Sequence, residues 1–440
     1  MQILRRVAIV ASVLAALGSG FAGHAVQAKA PPQDVLATWY RMTLELVRHT
    51  PTYTPPVASR AFAYIGVAAY EAVASGSGDL QSFAGQLNGL DALPRREDGK
   101  SYDDGIVLQS AMALSVANFF ANTGPTGQRA LASLTAKQTA KVADGVAADV
   151  VARSEAYGQA IADHILAWSL GDGGAVIENM GFPYDYRLTE GPAHWVPTNL
   201  VRQQQTPLLP NWGKNRTFAM PAGATCPVPP HPDYSEEPAS AFYKEAMEVY
   251  DATAALTPEQ TQIARAWSDD PMLSTTPPGH WVSITRQILE RDNAPITQQV
   301  EAMAKLGVGL ADAFIGCWDA KYKYDLLRPI TYIRRVIDPT WEPLLNSPPF
   351  PEYPSGHSTQ SGTAEVILTD LFGEDFAFDD HTMAPDGLNP RSFASFRAAA
   401  EEAGMSRLYG GIHFRSAILV GLEQGRCIGA FTIALKTRSE

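Results

Sequence analysis

Three cysteines in 440 residues, Cys226, Cys317 and Cys427, are too few and too scattered for a zinc site or a disulfide scaffold. One bridge is compatible with an oxidising compartment. Cys226 with Cys427 is the expected pair, because Cys317 falls in an apolar helical run and reads as core. Runs of alternating apolar and polar residues are scarce, which excludes a mainly β domain. Basic residues are in the minority: 34 Lys and Arg against 46 Asp and Glu leave a net charge of -12. Nucleic acid is a poor partner for such a chain. Beyond the N-terminus no stretch is long and uncharged enough to span a bilayer. The best, 414–435, carries Arg415, Glu423 and Arg426. No internal period stands out.

What is present begins with an export signal over residues 1–28. Arg5 and Arg6 precede an apolar run from Val7 to Ala22, and Val26 and Ala28 suit cleavage after Ala28. The run is short and interrupted by Gly18, Gly20 and Gly23, which disfavours a membrane anchor. Cleavage removes two arginines and no acid, so the charge goes from -12 to -14. The expected protein is periplasmic or extracellular, without stable membrane insertion.

A hydrophobic content of 45% supports a large core. The expected organisation is an N-terminal helical region, 29–235, and a C-terminal catalytic region, 236–440. Periodicity predicts helices over 35–48, 58–74, 104–120, 145–170, 238–254, 300–327, 358–372 and 392–403, and a last helix carrying His413. Another opens at Thr257-Pro-Glu-Gln260, which has proline at its first position and a capping box. Residues 171–234, rich in Gly, Pro and Trp, predict a long ordered loop, of the kind that often carries function or walls off a site. The fold class is all-α, a multi-helix bundle with long irregular loops.

Three clusters carry chemistry. Lys321 and Arg328, seven residues apart before Pro329, are expected on one face of the helix over 300–327, where two cations bridge one anion. Ser355-Gly356-His357 follows proline and precedes a helical run, so its amides lie at a helix N-terminus that favours anions. Arg407 adds a guanidinium fork and His413 an imidazole. Together they describe an oxyanion cage.

In this order the clusters resemble the superfamily of type 2 phosphatidic acid phosphatases and vanadium-dependent haloperoxidases, in its soluble secreted haloperoxidase-like branch. The superfamily motifs are Lys-x6-Arg-Pro, Pro-Ser-Gly-His and Ser-Arg-x5-His-x3-Asp. Every residue is present except the last aspartate, replaced by Ala417. The resemblance implies a bundle of the vanadium chloroperoxidase and acid phosphatase type. Lys321, Arg328, Ser355, Gly356 and Arg407 would bind vanadate or phosphate, with His357 and His413 catalytic. In the haloperoxidase reading His413 is the ligand to vanadium, vanadate is the cofactor, and hydrogen peroxide and halide are the substrates. In the alternative, a secreted acid phosphatase without cofactor, His413 attacks a phosphate monoester and His357 protonates the leaving alcohol. A non-catalytic oxyanion binder is the third reading, disfavoured by His357. Two features favour the haloperoxidase: the missing aspartate, which a phosphatase needs to activate His413, and Phe350 with Trp318, which match the chloroperoxidase form. Asp269 or Asp270, before Thr276-Pro277-Pro278, is expected to face His357.

Overall fold

Helical periodicity and proline punctuation lead to thirteen α-helices among the described residues of the computed structural model, 30–176, 186–198 and 206–438. The N-terminal half supplies α1 (Pro32–His49), α2 (Pro55–Ala74), α3 (Asp104–Phe119), α4 (Pro125–Ala143) and α5 (Ala148–Leu170). The remainder supplies α6 (Ala241–Ala254), α7 (Pro258–Ala266), α8 (Thr276–Arg291), α9 (Ile296–Tyr324), α10 (Pro329–Val336), α11 (Gly356–Phe372), α12 (Phe396–Tyr409) and α13 (Arg415–Ile433). A single antiparallel pair, β1 (Phe378–Asp380) with β2 (Arg391–Phe393), lies between α11 and α12. The all-α reading stands. Residues 1–28, read as an export signal, lie outside the described residues.

The centre of the molecule is α9, buried over nearly its whole length between α2 on one side and α11 and α13 on the other. It is buried on every face, as a central helix is, and mostly apolar, with Glu301, Lys305, Asp312 and Lys321 as its buried charged residues. At Gly307 a Cβ would meet the backbone of Phe62 and Ala63 at 2.7–3.0 Å, so α2 approaches α9 closely only because glycine stands there. Proline opens α1, α2, α4, α7 and α10, where its missing N–H costs nothing. Thr257 caps α7 through the predicted capping box with Gln260.

The expected helix over 300–327 is shorter at its C-terminus. It ends at Tyr324, Asp325 adopts a left-handed conformation with φ 49°, and Arg328 is extended at φ -81°, ψ 154°. The cause is Pro329, whose ring disfavours helical geometry in the residue before it. Lys321 and Arg328 therefore do not share a helical face. Likewise His413 precedes the last helix rather than riding on it.

The segment read as a long loop packs along the α9 C-terminus. Asp312 of α9 accepts the amides of Phe218, Ala219 and Met220 at 2.6, 2.8 and 3.0 Å. Ala193 and Trp195 bond the backbone at Leu327 and Asp325, both within three residues of Arg328. Cys226 and Cys427 form the expected disulfide, with their Cα atoms 6.0 Å apart, and tie this segment to α13. Among the described residues no helix is long and apolar enough to cross a membrane.

Candidate active site

The three clusters converge where the C-terminus of α9, the N-terminus of α11 and the turn between α12 and α13 meet. Lys321, Arg328, Arg407 and His413 are buried, each at 2% exposure or less. His357 is the most accessible member, its side chain 14% exposed, and Phe350, against Lys321 and Arg328, is half-buried.

Each cation is held by carbonyl oxygens. Lys321 Nζ donates to Pro351 O at 3.0 Å, to Glu352 O at 2.9 Å and to Pro354 O. Arg328 Nε donates to Phe350 O at 3.0 Å, and its Nη1 to Ile412 O at 2.9 Å. Arg407 Nε donates to Ser406 Oγ at 3.0 Å, and its Nη2 to Trp267 O. Asp325, four residues from Lys321, faces His194 at 3.3 Å instead of the ammonium. Burial, with neighbouring Arg328, pushes Lys321 down to about 7, and burial pushes Arg328 and Arg407 down to about 10. Three clustered buried cations call for an anion. Arg328 Nη2 is buried with no hydrogen-bond partner, so one arm of the fork is left for a ligand oxygen.

Ser355 caps α11, its Oγ accepting from Ser358 N at 3.3 Å. Ser355 N is taken by Ala417 O at 3.0 Å, which leaves the first-turn amides of Gly356 and His357 without an intrahelical acceptor. A Cβ at Gly356 would meet Trp318 at 3.7 Å and Lys321 at 3.9 Å, ordinary contacts. Protein packing does not demand glycine here.

His413 is oriented at both nitrogens. Nδ1 lies 2.8 Å from Glu352 Oε1, which also accepts Phe414 N at 2.9 Å, and Nε2 faces the Arg328 Nη1 donor at 3.1 Å. Since Arg328 can only donate, Nε2 carries the lone pair and Nδ1 the proton. Burial and the cations Arg328, Lys321 and Arg407 hold His413 well below the usual histidine range. Burial raises Glu352 to about 8 against the pull of Arg328 and Lys321. Glu352 thus stands where the aspartate replaced by Ala417 was expected to act. The aspartate replaced by Ala417 therefore does not separate haloperoxidase from phosphatase here, because Glu352 gives His413 a carboxyl partner from another loop.

Of the two candidate aspartates, Asp269 Oδ2 lies 3.4 Å from His357 Nε2. Asp270 instead lies in the field of Arg407, while burial raises its pKa. Asp269 takes a left-handed conformation, φ 51°, the kind of strain that proteins retain at sites. Burial and Arg407 lower His357 to about 4, so its ring is neutral. Phe350 and Trp318 form an apolar wall, ring centroids 4.9 Å apart, and Phe350 also lies 5.1 Å from Lys321 Nζ and 5.0 Å from Arg328 Cζ. Trp318 Nε1 donates to Leu208 O at 3.1 Å, which seats the long segment against this wall.

Glu352 and His280 are the residues that sequence reading missed. Glu352 was in view within Pro351-Glu-Tyr-Pro354, and His280 follows Thr276-Pro277-Pro278-Gly279. Neither has a spacing that announces a partner more than sixty residues away.

Residues 301–439 match the family described as the VCPO second helical-bundle domain. Among solved structures the chain is similar to the first bacterial vanadium-dependent iodoperoxidase, at 39% identity and TM-score 0.84, covering 93% of this chain and 97% of that one. A holo-type bacterial vanadium-dependent chloroperoxidase shares 16% identity at TM-score 0.65, covering 93% of each chain. Its apo-type counterpart shares 15% at TM-score 0.66, covering 87% of this chain and 94% of that one. These two bear on the fold alone. No curated protein matches the chain.

Proposed function

The chain belongs to the vanadium haloperoxidases, and from that premise we propose that it oxidises iodide with hydrogen peroxide at the cage around His413. The observation that carries this reading is the pairing of an oriented, unprotonated His413 Nε2 with the partnerless Nη2 of Arg328. A histidine lone pair and an unfilled guanidinium arm fit vanadate, a tetrahedral oxyanion with an open coordination position. His413 would be the ligand. Arg328, Arg407, Lys321 and the amides of Ser355-Gly356-His357 would face the oxygens, although Lys321 and the Ser355 amide must first release their carbonyls and Arg328 Nη1 its bond to His413 Nε2. Bound vanadate supplies a Lewis-acid centre that activates hydrogen peroxide toward halide.

The chain's own groups do the rest. Neutral His357, the most accessible side chain of the cage, would be the group that accepts a proton from hydrogen peroxide and hands it back. The buried cations would draw negative charge from a bound oxyanion and so favour its oxidising chemistry. Phe350 and Trp318 give a large, weakly hydrated halide an apolar approach. Iodide is preferred on the likeness to the iodoperoxidase, even though Phe350 alone pointed to the chloroperoxidase form. An exported protein is supported by residues 1–28 and by the Cys226–Cys427 bridge.

The Glu352–His413 contact also suits the acid-phosphatase reading, since it would activate His413 as a nucleophile. One preparation decides between them. Protein stripped of anions is loaded with vanadate and given iodide, bromide and chloride under excess peroxide, and the unloaded protein is given p-nitrophenyl phosphate. Iodide oxidation well above that of free vanadate is expected. Halide oxidation no faster than free vanadate, together with phosphate release, would replace the proposal with the phosphatase.

A further inference from the structure

Behind His357 the protein contains a chain of buried ionisable groups that the oxyanion cage does not require. Asp269 Oδ1 lies 2.8 Å from His280 Nδ1, and His280 Nε2 lies 2.9 Å from Asp380 Oδ2. All three side chains are at least nine-tenths buried: Asp269 and His280 at 0% exposure, Asp380 at 4%. The His280 ring is stacked on Trp267, centroids 4.3 Å apart and 18° from parallel. Asp380 Oδ1 is fixed in turn by Thr382 N at 2.8 Å. The members come from four places in the sequence: the α7–α8 turn, α8, β1 and the α11 N-terminus.

An imidazole with a carboxylate on each nitrogen donates from both, so it is a cation. Burial alone would lower the His280 pKa, but Asp269 and Asp380 carry it up to about 10. Burial alone would raise Asp269, but His280 holds it well below the carboxylate range, with His357 adding to the effect. Asp269 Oδ1 is thereby occupied, and Oδ2, which has no hydrogen-bond partner, is turned toward His357 Nε2, which has none either. A carboxylate facing Nε2 requires the proton of the neutral ring to sit there. Nδ1 is then the basic nitrogen. The other charged groups acting on His357 are Arg407 and His280, and His413 is coupled to it.

We propose that His280, clamped between Asp269 and Asp380, is a positioning residue of the oxidation reaction, fixing the carboxylate that sets which nitrogen of His357 accepts a proton. The inference rests on the haloperoxidase reading for its kinetic consequence, but not for the tautomer itself. Asp380 is the outer anchor. It prevents the imidazole from turning about its bond to Asp269, as a second carboxylate does for a metal-bound histidine.

The test uses full-length protein labelled with 15N-histidine, without vanadate, and reads ring nitrogens by long-range proton–nitrogen correlation. In the wild type His280 is expected as imidazolium from about pH 6 to 8, and His357 as a neutral ring protonated at Nε2. In His280→Gln the His357 signals are expected to move toward a mixture of tautomers. The vanadate-loaded variant is expected to lose about tenfold or more in kcat, a typical cost of removing an outer hydrogen-bond partner, with vanadate affinity within about threefold of wild type. Asp380→Asn conserves volume and gives the same changes in smaller measure, so it serves if the first variant does not fold. Wild-type His357 signals and kcat in a folded variant would overturn the inference, as would a neutral His280 in the wild type. If vanadate-loaded wild type oxidises no halide, the function fails separately, and the tautomer measurement still decides this proposal.

Discussion

A carboxylate on the outer nitrogen of a ligating histidine fixes its tautomer and raises the basicity of the inner nitrogen. For His413, the proposed ligand, that group is Glu352, 61 residues before it in the chain. The motif places its aspartate one helical turn after the histidine, so a reader of the sequence looks at Ala417 and finds a methyl group. Glu352 is invisible by spacing because the contact exists only once the 351–354 segment is drawn down onto Lys321 through three carbonyls. Glu352→Gln keeps an acceptor for Nδ1–H but removes the charge that Glu352 carries above about pH 8, whereas Glu352→Ala removes both. Vanadate affinity, measured by equilibrium dialysis, is expected to fall about tenfold in the first and toward a hundredfold in the second. Wild-type affinity in Glu352→Ala would show that His413 is oriented by Arg328 alone.

At the scale of elements, the Pro-Ser-Gly-His segment was fully legible, because a serine cap and the onset of helical periodicity are local signals. Arg328 was legible as a residue but not in its geometry. Pro329 breaks the helix that the apolar pattern would continue, and the break turns Arg328 toward Ile412 and His413. Helix α8 was missed because Thr276-Pro277-Pro278 reads as a loop, although proline in a first turn is tolerated. The β1–β2 pair, each strand three residues long, falls below any periodic signal. The crossing of α11 and α13 is built on glycine at Gly362, Gly421 and Gly425. A Cβ at Gly425 would overlap the carbonyl oxygen of Thr359, whereas one at Gly356 meets nothing closer than 3.7 Å. The two alanine variants should therefore separate folding from binding. Gly425→Ala is expected to destabilise by about 1–3 kcal/mol or more through overpacking, read by denaturant unfolding. Gly356→Ala is expected to unfold as wild type but bind vanadate less tightly, because its methyl group enters the space left for the anion. Equal stability loss in both would mean that the Gly356 space is filled by protein.

At the scale of the whole molecule, an acidic chain gathers three buried cations around one point, and their cost is carried by the rest of the fold. Lys321 shows the sign of this most clearly. Its pKa falls from 10.5 to about 7 on folding, so between these values the folded protein binds fewer protons than the unfolded chain. Stability from this group therefore rises with pH through that window and is lowest below about 7, where the buried ammonium is charged. An anion in the cage reverses the balance, because it favours the charged form. Anion binding then takes up a proton and weakens as pH rises through about 7. Glu352, raised to about 8, adds negative charge over the upper part of the same range and acts in the same direction. Sulfate tests this cleanly, since its own charge is constant across the range. At a hundredfold excess over Kd a ligand stabilises by about 2.7 kcal/mol. For 440 residues at about 2.1 cal/mol/K per residue, that is a rise of roughly 3 °C in Tm. Calorimetry at about pH 6 should show a shift of this size with saturating sulfate, and at about pH 9 a clearly smaller one at the same concentration. Arg328→Lys should reduce the shift at both, because the fork with one unfilled arm becomes a point charge. A sulfate shift that is independent of pH would mean that Lys321 stays on its three carbonyls and takes no part in holding the anion.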